Sequence, residues 1–214
     1  GSGIVVLKYT PPTGTPQTLF VSNGSGVVSS VDSGWGGVQV LLSTQTASNV
    51  GSIDFTTGID STYGEYVFEF IDCQPITDNV GFGFQANASG QSGYDEVITS
   101  TFFVAQLRND NTSAALQYQG GDDQAQGTGL QHLASGIGSG AKESGSGEFH
   151  LFNPASTTYT KQFYGRVQIY HASDYAIDNY AAGYVNVTAA ITNITFKFSS
   201  GNINAGTIKM YGIK

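Results

Sequence analysis

The chain has 214 residues, in which sixteen acids outnumber eight lysines and arginines, and its net charge of −8 offers no basic footprint for phosphates or an anionic membrane surface. With 29 glycines, 12% aromatic and only 11% charged residues, against a usual charged share of about 25%, it is too poor in charge for a helical bundle and too aromatic for a disordered chain. No apolar run approaches the roughly 20 residues of a membrane-spanning helix, and Cys73, the single cysteine, offers neither an internal disulfide nor a cysteine-based metal site.

Along the chain the apolar residues alternate with period two, the signature of half-buried strands. In the first fifty residues, the least regular part, residues 4–9, 18–22 and 38–42 read as strands, and Trp35 sits on a turn in Ser33-Gly34-Trp35-Gly36-Gly37. In 65–71, Tyr66, Phe68 and Phe70 share one face. Further strands are expected at 80–85, 101–107 and 114–118. Residues 119–147 hold runs such as Ser135-Gly136-Ile137-Gly138-Ser139-Gly140 and read as one long Gly/Ser-rich surface loop. In 148–152, Phe149 and Leu151 point one way while Glu148 and His150 point the other, which makes His150 an outward surface histidine. Strands at 163–170 and 182–187 follow. Ile194, Phe196 and Phe198 then alternate ahead of a last strand at 207–211, and these two are expected to form a hairpin. No window of 12 or more residues carries a helical stripe. About a dozen short strands with varied loops predict an all-β fold of two packed antiparallel sheets.

The patterns that carry chemistry are weak. Gly136-Ile137-Gly138 lacks the third glycine and the helix of a phosphate cradle, and no serine sits in a Gly-x-Ser-x-Gly elbow for His132, His150 or His171 to serve. Glu65 and Glu69 share a strand face but lie about 13 Å apart along it, too far for paired carboxylates in glycoside hydrolysis. Asp95-Glu96 falls on a turn. Asp122-Asp123, and Asp174 with Asp178, offer oxygen ligands for calcium without EF-hand spacing. Flat aromatic rings with polar tips suit sugar stacking or subunit contacts, and Trp35, Tyr175 and Tyr180 are the candidates, the tyrosines flanking an acidic loop. No cofactor is expected.

Several segments carry a resemblance. Tyr63-Gly64-Glu65-Tyr66-Val67-Phe68-Glu69-Phe70-Ile71, then Pro75, Thr77, Asp78 and Asn79, are similar to stretches of virion structural proteins of tailed marine phages, especially those infecting cyanobacteria. The similarity resumes at Leu151-Phe152-Asn153-Pro154 and Ser156-Thr157-Thr158-Tyr159, and ends in Phe198-Ser199-Ser200-Gly201-Asn202-Ile203 and Gly206-Thr207-Ile208-Lys209-Met210-Tyr211-Gly212-Ile213. It spans roughly residues 50–214 and rests on strand and turn motifs. The resemblance implies a particle component, such as a head decoration or a tail or fibre element, and carries over no catalytic residue. The expectation is therefore one jelly-roll-like β-sandwich domain over 1–214, non-enzymatic and located on the virion exterior. Its expected partners are copies of itself in a trimer or ring, other virion proteins and host surface glycans, without nucleic acid or membrane. The alternative is a carbohydrate-binding or glycan-hydrolysing β-sandwich module.

Overall fold

The computed structural model describes residues 19–22, 28–31 and 39–213. Every regular element among them is a strand: β1 (Leu19–Ser22), β2 (Val28–Val31), β3 (Gln39–Val50), β4 (Ile53–Phe55), β5 (Glu65–Pro75), β6 (Val80–Ala88), β7 (Ile98–Arg108), β8 (Ala114–Tyr118), β9 (Ala125–Gly127), β10 (Gln131–Ile137), β11 (Gly145–Phe152), β12 (Lys161–His171), β13 (Tyr175–Val185), β14 (Ile191–Phe198) and β15 (Ile203–Ile213). β1 and β2 pair antiparallel in a sheet of their own, within a unit ending at Gln39. Residues 40–213 form the second compact unit.

In that unit one layer runs β3-β15-β5-β11-β12-β13-β7-β8, with β9 sharing an edge of β7, and the other runs β10-β6-β14-β4. From β15 to β8 and from β10 to β4 every pairing is antiparallel, and the layers join where Ile137 on β10 meets His171 on β12. At the far side Gln45 Nε2 on β3 donates to the Asp54 carbonyl on β4 at 2.8 Å, so the sheet nearly closes on itself.

Alternation drives this arrangement. On β12, Lys161, Phe163, Gly165, Val167 and Ile169 are buried while Gln162, Tyr164, Arg166 and Gln168 are exposed. The inner faces meet through phenylalanines: Phe68 and Phe70 of β5 each approach Phe196 of β14 at 5.1 Å between ring centroids, and Phe84 of β6 lies 4.4 Å from Phe149 of β11. These offset and edge-on contacts add to simple area burial. Three polar side chains are fully buried and satisfied. Asn179 Nδ2 donates to the Val167 carbonyl at 3.0 Å, Gln131 Oε1 accepts from Ser100 Oγ at 2.6 Å, and the Lys161 ammonium donates to the carbonyls of Tyr159 and Val187 at 3.0 and 2.9 Å.

Three expectations are corrected. Residues 119–147 are not a single loop: β9, all of β10 and the start of β11 lie there, and Leu133, Ala134 and Ile137 are in the core. Register shifts flanking Ala134, with Gly136 at φ 80°, break the alternation that would have revealed β10. β14 and β15 do not form a hairpin, because β14 pairs with β6 and β4 while β15 pairs with β5. Residues 199–202 instead carry the chain from one layer to the other, so that Phe196 and Ile208 both point into the core. Third, Tyr175 and Tyr180 do not flank a loop, since both belong to β13. The expected strand at 4–9, and Trp35, lie outside the described residues.

Candidate functional site

The inner faces are filled, so any working surface lies outside. On the larger layer, strand register aligns side chains from seven strands into a row: Lys209 (β15), Glu69 (β5), Glu148 (β11), Arg166 (β12), Tyr180 (β13), Phe103 (β7) and Tyr118 (β8). The adjacent row holds Tyr211, Val67, His150, Tyr164, Ala182 and Thr101.

The middle of the first row is tightly organised. Phe103 stacks on Tyr180 with centroids 4.7 Å apart and planes 5° from parallel, and the Arg166 guanidinium lies 5.3 Å from the same Tyr180 ring. Register puts Arg166 and Phe103 on opposite sides of Tyr180, so both faces of that ring are taken. Arg166 grips Asp178 with Nε at 3.0 Å and Nη2 at 2.6 Å, and Tyr180 donates its hydroxyl to Asp178 Oδ2 at 2.8 Å. Burial pushes the Asp178 carboxyl up, but hydrogen bonds from Arg166 and Tyr180 outweigh it and hold the group below its ordinary range. The hydrogen bond to Asp178 raises the Tyr180 phenol.

In the second row, His150 Nδ1 donates to Glu65 Oε1 at 2.5 Å, and its ring stacks on Tyr164 with centroids 4.3 Å apart. Nε2 of His150 lies 3.5 Å from Glu148 Oε1, a long contact without hydrogen-bond geometry. Burial, with help from the Glu65 and Glu148 charges, raises the Tyr164 phenol. Glu69 accepts from both Lys209 Nζ and the Tyr211 hydroxyl at 3.1 Å. The carboxylates Glu65, Glu69 and Asp178 on this face are each bonded to a cationic or imidazole partner.

Between the rows lies a shallow apolar depression of about 250 Å³ around Phe103, Tyr164, Tyr180 and Ala182. A larger one of about 560 Å³ opens between Glu69, Glu148, Arg166 and Gln168. Toward β8 the face becomes strongly apolar: Phe103, Leu107, Leu116 and Tyr118 are all exposed.

Of the residues singled out from sequence, Tyr180, His150, Glu65, Glu69 and Asp178 lie on this face, and Tyr180 is the one aromatic candidate among them. Tyr175 points to the other side of β13, packs on the core margin edge-on to His171 at 5.9 Å and carries Arg108 5.8 Å from its ring. Among the histidines, His132 Nδ1 donates to Asp122 Oδ1 at 2.6 Å, with its ring over Gly81, while His171 is held below its ordinary pKa by burial. Asp123 accepts from the Tyr118 hydroxyl. Asp174 sits in a turn at φ 64° and accepts from the Tyr170 hydroxyl, on a different element from Asp178. Cys73 is buried and its thiol is pushed up to about 12 by desolvation, which keeps it protonated and unreactive at neutral pH. Among the described residues no three His, Cys, Asp or Glu side chains converge on a metal-sized site. Phe103, Arg166, Tyr164 and Leu116 were missed by sequence reasoning. The signal for Phe103 was present, since adjacent Phe102 and Phe103 place an aromatic on each face of one strand.

The chain matches no protein-family model, no curated protein and no solved structure.

Proposed function

We propose that the chain is a non-enzymatic structural component of the exterior of a phage particle, present in many copies, with the outer face of the larger layer as its contact surface. The observation that carries this reading is the open row from Lys209 to Tyr118, polar at one end and ending in the exposed apolar residues Phe103, Leu107, Leu116 and Tyr118. A large exposed apolar patch on a compact unit is the usual sign of a surface meant to be covered. The bonded state of Glu65, Glu69 and Asp178, each held by a cationic or imidazole partner, supports a binding rather than a catalytic role, because none is a free acid or base poised over a cleft. On this reading the sandwich is jelly-roll-like, assembles as a trimer or ring, and meets other virion proteins and host glycans through weak contacts multiplied by copy number.

The carbohydrate-binding alternative is favoured by one feature, the aromatic and polar depression around Phe103 and Tyr164. Tyr180 itself is flanked on both faces, so sugar stacking there would fall to Phe103 and Tyr164 instead. Mass spectrometry of density-banded particles decides between the two. The particle reading expects this chain in multiple copies per particle, with antibodies against the 109–113 turn decorating the outside. Absence from particles, together with glycan-array binding or release of reducing sugar by a monomer, overturns it.

A further inference from the structure

We propose that the free edge of β8 is a self-complementary docking edge, on which a second copy of this chain adds its own β8 antiparallel to extend the larger layer through a two-fold axis at Leu116. The proposal rests on the many-copy reading above and specifies where the copies meet.

Among the described residues β8 is the last strand of the larger layer and pairs only with β7, in the register Phe103↔Tyr118, Ala105↔Leu116 and Leu107↔Ala114. Hydrogen bonds just beyond its ends set the phase of the ladder: Arg108 N donates to Ser113 O at 2.8 Å, and Gln119 N donates to Phe102 O at 2.9 Å. Antiparallel ladders alternate hydrogen-bonded and non-hydrogen-bonded pairs, so Ala115 and Gln117 turn their backbone groups toward β7. Ala114, Leu116 and Tyr118 turn theirs outward, and no strand of residues 40–213 receives them.

Exposed strand edges normally carry a guard, such as a charge, a proline or a bulge. The segment Ala114-Ala115-Leu116-Gln117-Tyr118 has none. The opposite margin of the layer differs, because β3 is tied to β4 through Gln45. Leu116 is 74% exposed, the highest value among the large apolar side chains described, and Tyr118 is 57% exposed.

The outward-facing residues are symmetric about Leu116. Two copies in register would place Leu116 against the partner's Leu116 and Tyr118 against the partner's Ala114, forming about six backbone hydrogen bonds. Large meets small on either side of a central leucine pair, and the segment brings no charge against its own copy. The hydroxyl of Tyr118 is bonded to Asp123, which fixes the ring before docking and lowers the entropy lost on association. An isologous contact of this kind closes on itself as a dimer and can serve as one element of a larger ring.

The test follows backbone amides of the full chain by NMR hydrogen exchange across a concentration series, alongside sedimentation. The amides of Ala114, Leu116 and Tyr118 should become protected together as concentration rises, while those of Ala115 and Gln117 are protected throughout. Leu116→Pro removes an amide that the β7 ladder does not use, and should weaken dimerisation by about 30-fold through the two hydrogen bonds lost per dimer. Leu116→Lys sets like charges opposite each other and should leave a folded monomer. Outward amides indifferent to concentration overturn the proposal. So do outward amides protected at every dilution, which would mean the chain covers its own edge. Self-association unaffected by Leu116→Lys overturns it too, but leaves the many-copy reading intact, and particle mass spectrometry tests that reading separately.

Discussion

Truncating Phe196 to alanine tests how the two layers are held together. Phe196 is fully buried on β14 and contacts five other rings: Phe68 and Phe70 at 5.1 Å, Phe149 at 6.0 Å, Phe55 at 6.2 Å and Phe82 at 6.3 Å. Returning the ring to water forfeits about 2–3 kcal/mol of transfer free energy. Removing it also leaves a void on the order of 100 Å³, which adds ~2 kcal/mol if the walls stay in place. The walls have little freedom to move, because Phe70 is also edge-on to Phe82 at 5.1 Å and Phe68 to Phe55 at 5.2 Å. The expected loss is therefore ~4–5 kcal/mol, at the upper end for a buried phenylalanine. In urea, with a slope of about 2 kcal/mol per molar for a unit of this size, the midpoint should fall by ~2 M while the slope stays constant. Phe152→Ala makes the same change on the half-buried outer face of β11 and should cost ~1 kcal/mol. A loss below ~2 kcal/mol for Phe196→Ala, or one no larger than for Phe152→Ala, would refute the claim that the layers interlock through this ring.

Two further outcomes follow from local geometry. At Gly83 a Cβ would run into the Gln131 carbonyl and the Leu130 side chain, so Gly83→Ala should cost ~1–3 kcal/mol in a thermal melt. Gly121→Ala, where a Cβ meets nothing, should stay within ~0.5 kcal/mol. Asp178 has a folded pKa below its ordinary 3.8, so its contribution is fully present above that value and is lost as pH falls through the folded pKa. Asp178→Asn should be the less stable protein at neutral pH by about 1 kcal/mol, because the Arg166 end of the pair is exposed and screened by solvent. Urea midpoints of the two proteins should converge on acidification below 3.8, and a constant gap would sink the assignment.

The strands that were legible in the sequence are those whose alternation is unbroken. In 163–170, buried Phe163, Val167 and Ile169 alternate with Tyr164, Arg166 and Gln168, and the β8 bounds match the expected 114–118. β10 was illegible because its bulged register falls on small and polar residues, Ala134, Ser135 and Gly136, which resemble loop composition. The Phe198-to-Thr207 connection misled for a different reason. Two alternating strands joined by glycine-containing turn residues look the same whether the turn closes a hairpin or crosses between layers, and only the pairing of β14 with β6 distinguishes them. The candidate surface was legible one residue at a time. Tyr180 could be picked out as an aromatic with a polar tip, but its neighbours Arg166 and Phe103 come from strands that only register brings together.

The place of β15 also has a kinetic consequence. Lys209 meets Glu69 across 140 residues of chain, and Ser199 accepts from Gly81 across 118. β5 in the larger layer and β6 in the smaller one thus complete their pairing only with β15 and β14, more than a hundred residues on. Contacts of such long range impose large loop-closure costs before they are rewarded, which places folding on the slow side for a domain of this size. The core of residues 40–213 is therefore complete only once β14 has joined β6 and β15 has joined β5.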